Sequence, residues 1–245
     1  MNKIWLYLRL KQKNVKMKKT FILLFVVALG VGTMSSCNKS NKGKLSGEWN
    51  LSSMTETSSD TYGNPSVTDT DITTLDGSTV TLVSSSTAAN STTSTTNGVV
   101  NAANWTIEKD GTWSRTTDIT LSGEETGYTF TQSLAETETG TWSFLGKNKT
   151  AELGKNERVV MSTLTSASNS SFTYTVTGGN PVTSSSSDSN TYAEGDNVAT
   201  YLITESKKKD LTLTQVGAST YSDTDAGGTT TSSSSSATTL VLTQD

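Results

Sequence analysis

Residue types on which many enzymes depend are scarce or missing in this chain. It has no histidine and a single cysteine, Cys37. Without histidine there is no Ser-His-Asp triad and no Cys-His pair, and zinc would need carboxylate ligands alone, which is unusual. No Gly-x-Ser-x-Gly, P-loop or dinucleotide-binding motif occurs. We therefore predict a protein that is not an enzyme and binds no cofactor.

Acidic residues are the remaining candidates for catalysis or metal binding. Acid–base chemistry of the glycosidase type could involve Glu124, Glu125, Glu136 and Glu138. Oxygen ligands for calcium could come from Asp69 with Asp71, and from Asp223 with Asp225. We interpret the glutamates as solvated positions in strand ends and loops, and neither aspartate pair supplies a loop of the required geometry. The prediction is no catalytic residue and no metal.

The N-terminus has the composition of a secretory signal peptide. Residues 1–19 carry seven basic side chains and no acidic one, and an apolar run follows from Phe21 to Val31. This run is too short for a transmembrane helix, which needs roughly 20 apolar residues. The basic segment is unusually long for a signal peptide, which favours a translation start at Met17. We predict a signal peptide over residues 1–36.

The signal ends in Met34-Ser35-Ser36-Cys37, which resembles the lipobox of bacterial lipoproteins. The resemblance implies that Cys37 is acylated and anchors the protein in a membrane; the alternative is a lone buried thiol. One acyl chain binds marginally, whereas the two or three of this family anchor stably. Cleavage would leave 12 basic against 23 acidic residues, which argues against a nucleic-acid partner. Residues 37–44 would form a lipidated polar tether.

From Leu45 onward the chain alternates apolar with polar residues, which predicts half-buried antiparallel strands. Examples are Trp105 with Ile107, Trp142 with Phe144, Tyr201 with Ile203, and Leu211 with Leu213. Turn sequences separate these runs at 109–112, 177–181 and 206–210. We predict one all-β domain over residues 45–245, closed as an up-and-down barrel or stacked as a sandwich.

Three serine- and threonine-rich stretches lack this alternation. They are residues 84–98, 181–190 and 219–236. We predict long disordered loops there, with attachment of sugars as an open alternative.

Short motifs of the domain resemble the lipocalins, and more closely the lipocalin-like lipoproteins of Bacteroidota. The matching pieces are Gly47 with Trp49, Lys109 to Trp113, Gly140 to Trp142, and Leu211 to Gln215. The resemblance implies an antiparallel up-and-down barrel in which Gly47 and Trp49 plug one end. Lipocalins cover that tryptophan with an arginine near the last strand, but no arginine follows Arg158 here.

The predicted function is the binding of a small hydrophobic or amphipathic molecule. Six aromatic residues could line a cavity: Trp105, Trp113, Trp142, Phe144, Tyr174 and Tyr201. For any single one of them, a place in an ordinary core is the favoured alternative. A structural or adhesive module of the cell envelope is the alternative function. We expect a monomer anchored in the outer membrane and facing the periplasm, because lysines rather than acids follow Cys37.

Overall fold

The molecule is described from a computed structural model, which covers residues 42–245 except 64, 126, 148–155 and 226–227. The predicted signal peptide, Cys37 and residues 38–41 of the tether lie outside the described residues. A single helical turn, α1 (Lys42–Leu45), precedes the first strand. The described part of the chain belongs to one compact unit, Lys39–Asp245.

Antiparallel strands make up nearly all of the described chain. In order they are β1 (Gly47–Tyr62), β2 (Val67–Asp76), β3 (Thr79–Ser86), β4 (Ser94–Ile107), β5 (Thr112–Glu125), β6 (Tyr128–Leu145), β7 (Glu157–Val176), β8 (Pro181–Thr191), β9 (Val198–Ser206), β10 (Asp210–Asp225) and β11 (Gly228–Thr243). The three predicted turns, at 109–112, 177–181 and 206–210, fall between consecutive strands and are confirmed.

Ten of these strands form a closed ring. Neighbours follow the order β6-β5-β4-β3-β2-β1-β11-β10-β9-β7, and β7 pairs again with β6. The remaining strand, β8, lies outside the ring and pairs with β7. The predicted all-β antiparallel barrel is therefore confirmed, and of the two closures considered the barrel is correct.

The barrel has a narrow and a wide end. At the narrow end β1 pairs directly with β4, from Gly47 opposite Ile107 to Asn50 opposite Asn104, so eight strands suffice to close it. Farther along, the β2–β3 hairpin separates β1 from β4. At the wide end β7 pairs with β8 instead of β9, and among the described residues no backbone pairing joins β8 to β10. The wall of the wide end is thus interrupted.

The hydrophobic core lies at the narrow end. Its fully buried members include Leu45, Trp49, Leu213 and Leu242, which come from α1, β1, β10 and β11. Alternate residues of each strand reach the same interior, as period-2 patterning predicts. Burial of these side chains supplies the main driving force for closing the ring.

The prediction of disordered serine- and threonine-rich loops was wrong for most of the residues concerned. Residues 181–191 form β8, and 219–236 lie mainly in β10 and β11. Of 84–98, only the connection at 87–93 is irregular. Threonine favours extended backbone, and backbone pairing with a neighbouring strand does not require an apolar side chain. In β8 apolar alternation is missing because all eleven residues are exposed.

Candidate functional site

One face of the sheet continues from the core to the wide end. Along β5, Trp113, Arg115 and Leu121 lie at alternate positions, and the register with β6 has no irregularity. Direct partners across an antiparallel pair share a face, so Glu138 and Phe130 lie on this face as well. We call it the inner face, because Trp113 belongs to the buried core.

Four tryptophan side chains lie in the core at the narrow end: Trp49, Trp105, Trp113 and Trp142. Three of them donate their ring N–H to backbone carbonyls: Trp49 to Leu45 at 2.8 Å, Trp113 to Thr141 at 3.0 Å, and Trp142 to Glu108 at 2.8 Å. Trp105 stacks on Trp113 with 5.7 Å between the ring centroids. The hydrogen bonds of Trp49, Trp113 and Trp142 to backbone carbonyls fix the orientation of these three rings.

Gly47 and Trp49, which were predicted to plug one end of the barrel, lie at the narrow end. Trp49 is 2% exposed. Gly47 has a φ of 147°, and a Cβ there would lie 2.2 Å from Gln244 Nε2, so the position admits only glycine without rearrangement. No arginine follows Arg158 to cover Trp49 from the last strands. The Arg115 guanidinium lies over the ring of Trp105, 5.7 Å from its centroid.

The residues predicted to line a cavity are divided between the two ends. Trp105, Trp113, Trp142 and Tyr201 are at most 7% exposed and pack against one another or the surrounding aliphatic side chains. Phe144 is half-buried against the same core. Only Tyr174 lies elsewhere, at the wide end, where it is 37% exposed. The four buried side chains therefore belong to the core of the narrow end, and Trp105 also borders a cleft of about 610 Å³.

A half-buried ion pair lies next to the indoles. Arg115 Nε is 2.7 Å from Glu138 Oε2, and the Arg115 guanidinium sits over the Trp105 ring. Tyr201 meets Trp105 edge to face, with 6.4 Å between centroids. Burial raises the pKa of the Tyr201 phenol above its usual value, the Arg115 charge opposes that rise, and Glu138 adds to it. Arg115 and Glu138 thus lie at the boundary between the core of the narrow end and the wide half of the barrel.

An aromatic cluster occupies the inner face at the wide end. It consists of Tyr128, Phe130, Phe172 and Tyr174, from β6 and β7. Phe130 and Phe172 stack with centroids 5.8 Å apart, and the Phe130 ring fills the space that a side chain at Gly123 would need. Tyr128 donates a hydrogen bond to Glu125, and burial together with this bond raises the pKa of its phenol to about 12.

Acidic side chains lie on the inner face of other strands. Glu56, Asp60, Asp69 and Asp71 belong to β1 and β2, where Asp60 is directly opposite Asp69. Asp69 accepts a hydrogen bond of 2.7 Å from the hydroxyl of Tyr62. Glu136 follows on β6, next to Glu138 on the same face. The wide half therefore offers an aromatic wall and acidic walls.

Glu136 and Glu138, which were predicted to be solvated, lie on the inner face of the barrel. Their spacing gives part of this information, because both residues share the alternate positions of the buried Gly140 and Trp142 on the same strand. Arg115 was missed as well, although it follows Trp113 by two residues. Glu124 and Glu125 lie at the exposed end of β5, as expected.

Two clefts border the barrel wall. One, of about 610 Å³, is lined by Trp49 and Trp105 of the narrow end together with polar residues of β1 and β4, among them Glu48 and Asn104. The other, of about 590 Å³, is bordered by Asp118, Asn169 and Ser186 on neighbouring strands. Polar groups border both, and neither contains the aromatic cluster.

Comparison with known proteins yields no relative: no family model, curated protein or solved structure matches the chain. In the part of the chain that is described, no group of three acidic, histidine or cysteine residues is placed to hold a metal ion. No helix there has the length and apolarity to cross a bilayer.

Proposed function

We propose that this protein is a membrane-anchored, lipocalin-like barrel that binds a small hydrophobic or amphipathic molecule in its wide half and performs no catalysis. The observation that carries the proposal is the difference between the two ends. The narrow end is filled by indoles, whereas the wide end exposes part of an aromatic cluster on its inner face. Apolar surface that water can reach inside a concave wall is the usual basis of small-molecule binding.

The charges of the wide half restrict the ligand further. Arg115 is paired with Glu138, so it offers no unpaired cation. The acidic residues of β1 and β2 would repel an anionic headgroup. A neutral or cationic amphipath fits this environment better than a fatty acid, with its apolar part against Phe130 and Phe172.

Binding is testable with the neutral dye Nile red. Adding the fragment 39–245 should increase and blue-shift its fluorescence, because the dye leaves water for an aromatic surface. Phe172→Ser should weaken the apparent affinity by roughly tenfold, since burial of one aromatic ring is worth about 1.5–3 kcal/mol.

The matched control is Val216→Ser, which removes an apolar side chain that is 81% exposed on another strand. It should leave dye binding unchanged. Equal binding by wild type and Phe172→Ser would show that the dye binds elsewhere and would reject the proposed site. If Phe172→Ser weakens dye binding as expected, native mass spectrometry of the fragment purified from its host would identify a natural ligand.

The anchor is tested independently. Cys37→Ala in the full chain should move the protein from the membrane fraction to the soluble fraction, because the acyl chains supply the membrane affinity. Cys37→Ser tests the same prediction with a smaller change of side chain. Fractionation and immunoblotting measure the outcome, and persistence of both variants in membranes would contradict lipid anchoring at Cys37.

An adhesive or structural envelope module is the second candidate. It is favoured by the outer cleft beside Asp118 and Asn169, whose polar border could contact a glycan or a protein surface. Nile red binding that is lost with Phe172→Ser would favour the first candidate over this one.

A further inference from the structure

The outer edge of β8 is unpaired among the described strands and lies apart from the inner face. All eleven residues of β8 are exposed, and among the described strands β8 pairs with β7 alone. Asp188 is its single charged residue, and the strand contains no lysine. Edge strands are normally protected by charge, proline or bulges, because their unpaired N–H and C=O groups pair readily with another strand.

The register shows which residues face outward. Tyr192 N–H donates to Leu164 O at 2.8 Å, one step beyond the pair Thr191 and Thr165. Hydrogen-bonded pairs alternate with non-bonded pairs in an antiparallel ladder. Ser186 therefore directs its backbone groups toward β7, and Ser185 and Ser187 direct theirs to the free edge.

We propose that β8 of one molecule pairs antiparallel with β8 of a second copy, about a two-fold axis at Ser186. This register aligns Pro181 with Thr191 of the other copy, so all eleven residues overlap. It also sets Ser185 opposite Ser187, both with outward backbone groups, as a bonded pair requires. A two-fold interface needs such self-complementarity.

Charge and side-chain chemistry favour the same partner. In this register Asp188 faces Ser184 rather than the other Asp188, so no like charges are opposed. Hydroxyl groups already join β8 to β7 across the ladder, as in Ser170 with Ser186 and Thr173 with Thr183, each at 2.8 Å. A second β8 presents the same hydroxyl-rich strand. By contrast, the turn between β9 and β10 carries Lys207, Lys208 and Lys209, which discourage such pairing.

Sedimentation velocity of the fragment 39–245 tests the dimer. The mass should rise toward about twice the monomer value as concentration increases. Ser187→Pro should abolish this rise, because proline removes an outward N–H that the new ladder needs while the bonds to β7 remain. Ser187→Thr keeps the N–H and should still dimerise. Circular dichroism and tryptophan fluorescence should be the same for all three proteins.

A charge pair tests the register, and it decides the question even if proline disturbs β8. Ser184→Lys would face Asp188 of the second copy and should tighten association, whereas Ser184→Asp should weaken it, each by roughly 2- to 10-fold. A protein that stays monomeric at about 1 mM overturns the proposal. So does a dimer that is indifferent to Ser187→Pro or to the sign of charge at position 184. The proposal revises the expectation of a monomer, and dye binding at the wide end does not depend on it.

Discussion

Replacing Gly140 with alanine should destabilise the barrel by about 3 kcal/mol or more, although it adds a single methyl group. A Cβ at this position would lie 1.9 Å from the carbonyl oxygen of Ser162 and 2.7 Å from Trp113 Nε1. Neither neighbour can withdraw easily, since one is backbone of β7 and the other is a hydrogen-bonded indole. Gly140 is also where the register between β6 and β7 shifts, so the strain falls on the pairing that closes the ring.

Urea unfolding followed by tryptophan fluorescence measures this loss. The matched control is Gly146→Ala, where a Cβ would meet nothing within 4 Å. Its stability should stay within about 0.5 kcal/mol of wild type. If Gly140→Ala and Gly146→Ala unfold at the same urea concentration, the close approach of β6 to β7 is not as described.

Trp105→Ala should cost about 3–5 kcal/mol of stability, the usual range when a large buried aromatic is truncated. Trp105 is 4% exposed, stacks on Trp113 and meets the edge of Tyr201. Its removal leaves a cavity at the centre of the narrow end and takes away the ring beneath the Arg115 guanidinium. Loss of rigid aromatic packing should also reduce the near-ultraviolet circular dichroism.

Val99→Ala is the control for this substitution, because Val99 belongs to the same strand but is 50% exposed. It should change the free energy of unfolding by less than about 0.5 kcal/mol. A Trp105→Ala protein as stable as Val99→Ala would mean that the narrow end is not a packed core. The space would then be open to a ligand.

The strands of the narrow end were predictable because their side chains alternate between core and solvent. Leu211 with Leu213, and Trp105 with Ile107, show the pattern that a half-buried sheet imposes. The far halves of β10 and β11 and the whole of β8 were not predictable in this way. All residues of β8 are exposed, so alternation carries no information there. In the far halves of β10 and β11 the pairing of the two backbones defines the strands.

The candidate site was predictable in composition but not in position. Sequence indicates that aromatics lie on alternating strands, but filling a core and lining a cavity require the same residue types. Trp105 and Trp142 turned out to fill the core, whereas Phe130 and Phe172 form the accessible cluster. Whether an aromatic residue fills the core or lies at the wide end depends on its distance from the β1–β4 contact along its strand. That distance is set by how the strands are paired around the ring, so the sequence of a single strand does not reveal it.

The inserted β2–β3 hairpin gives the barrel two circumferences built from one chain. Where β1 pairs with β4, the packed indoles fix the circumference of the ring. Beyond that contact, the circumference depends on the length of the β2–β3 hairpin inserted between β1 and β4. Shortening or lengthening residues 67–86 would therefore resize the mouth and leave the base intact. The circumference of the wide end can therefore change independently of the core at the narrow end.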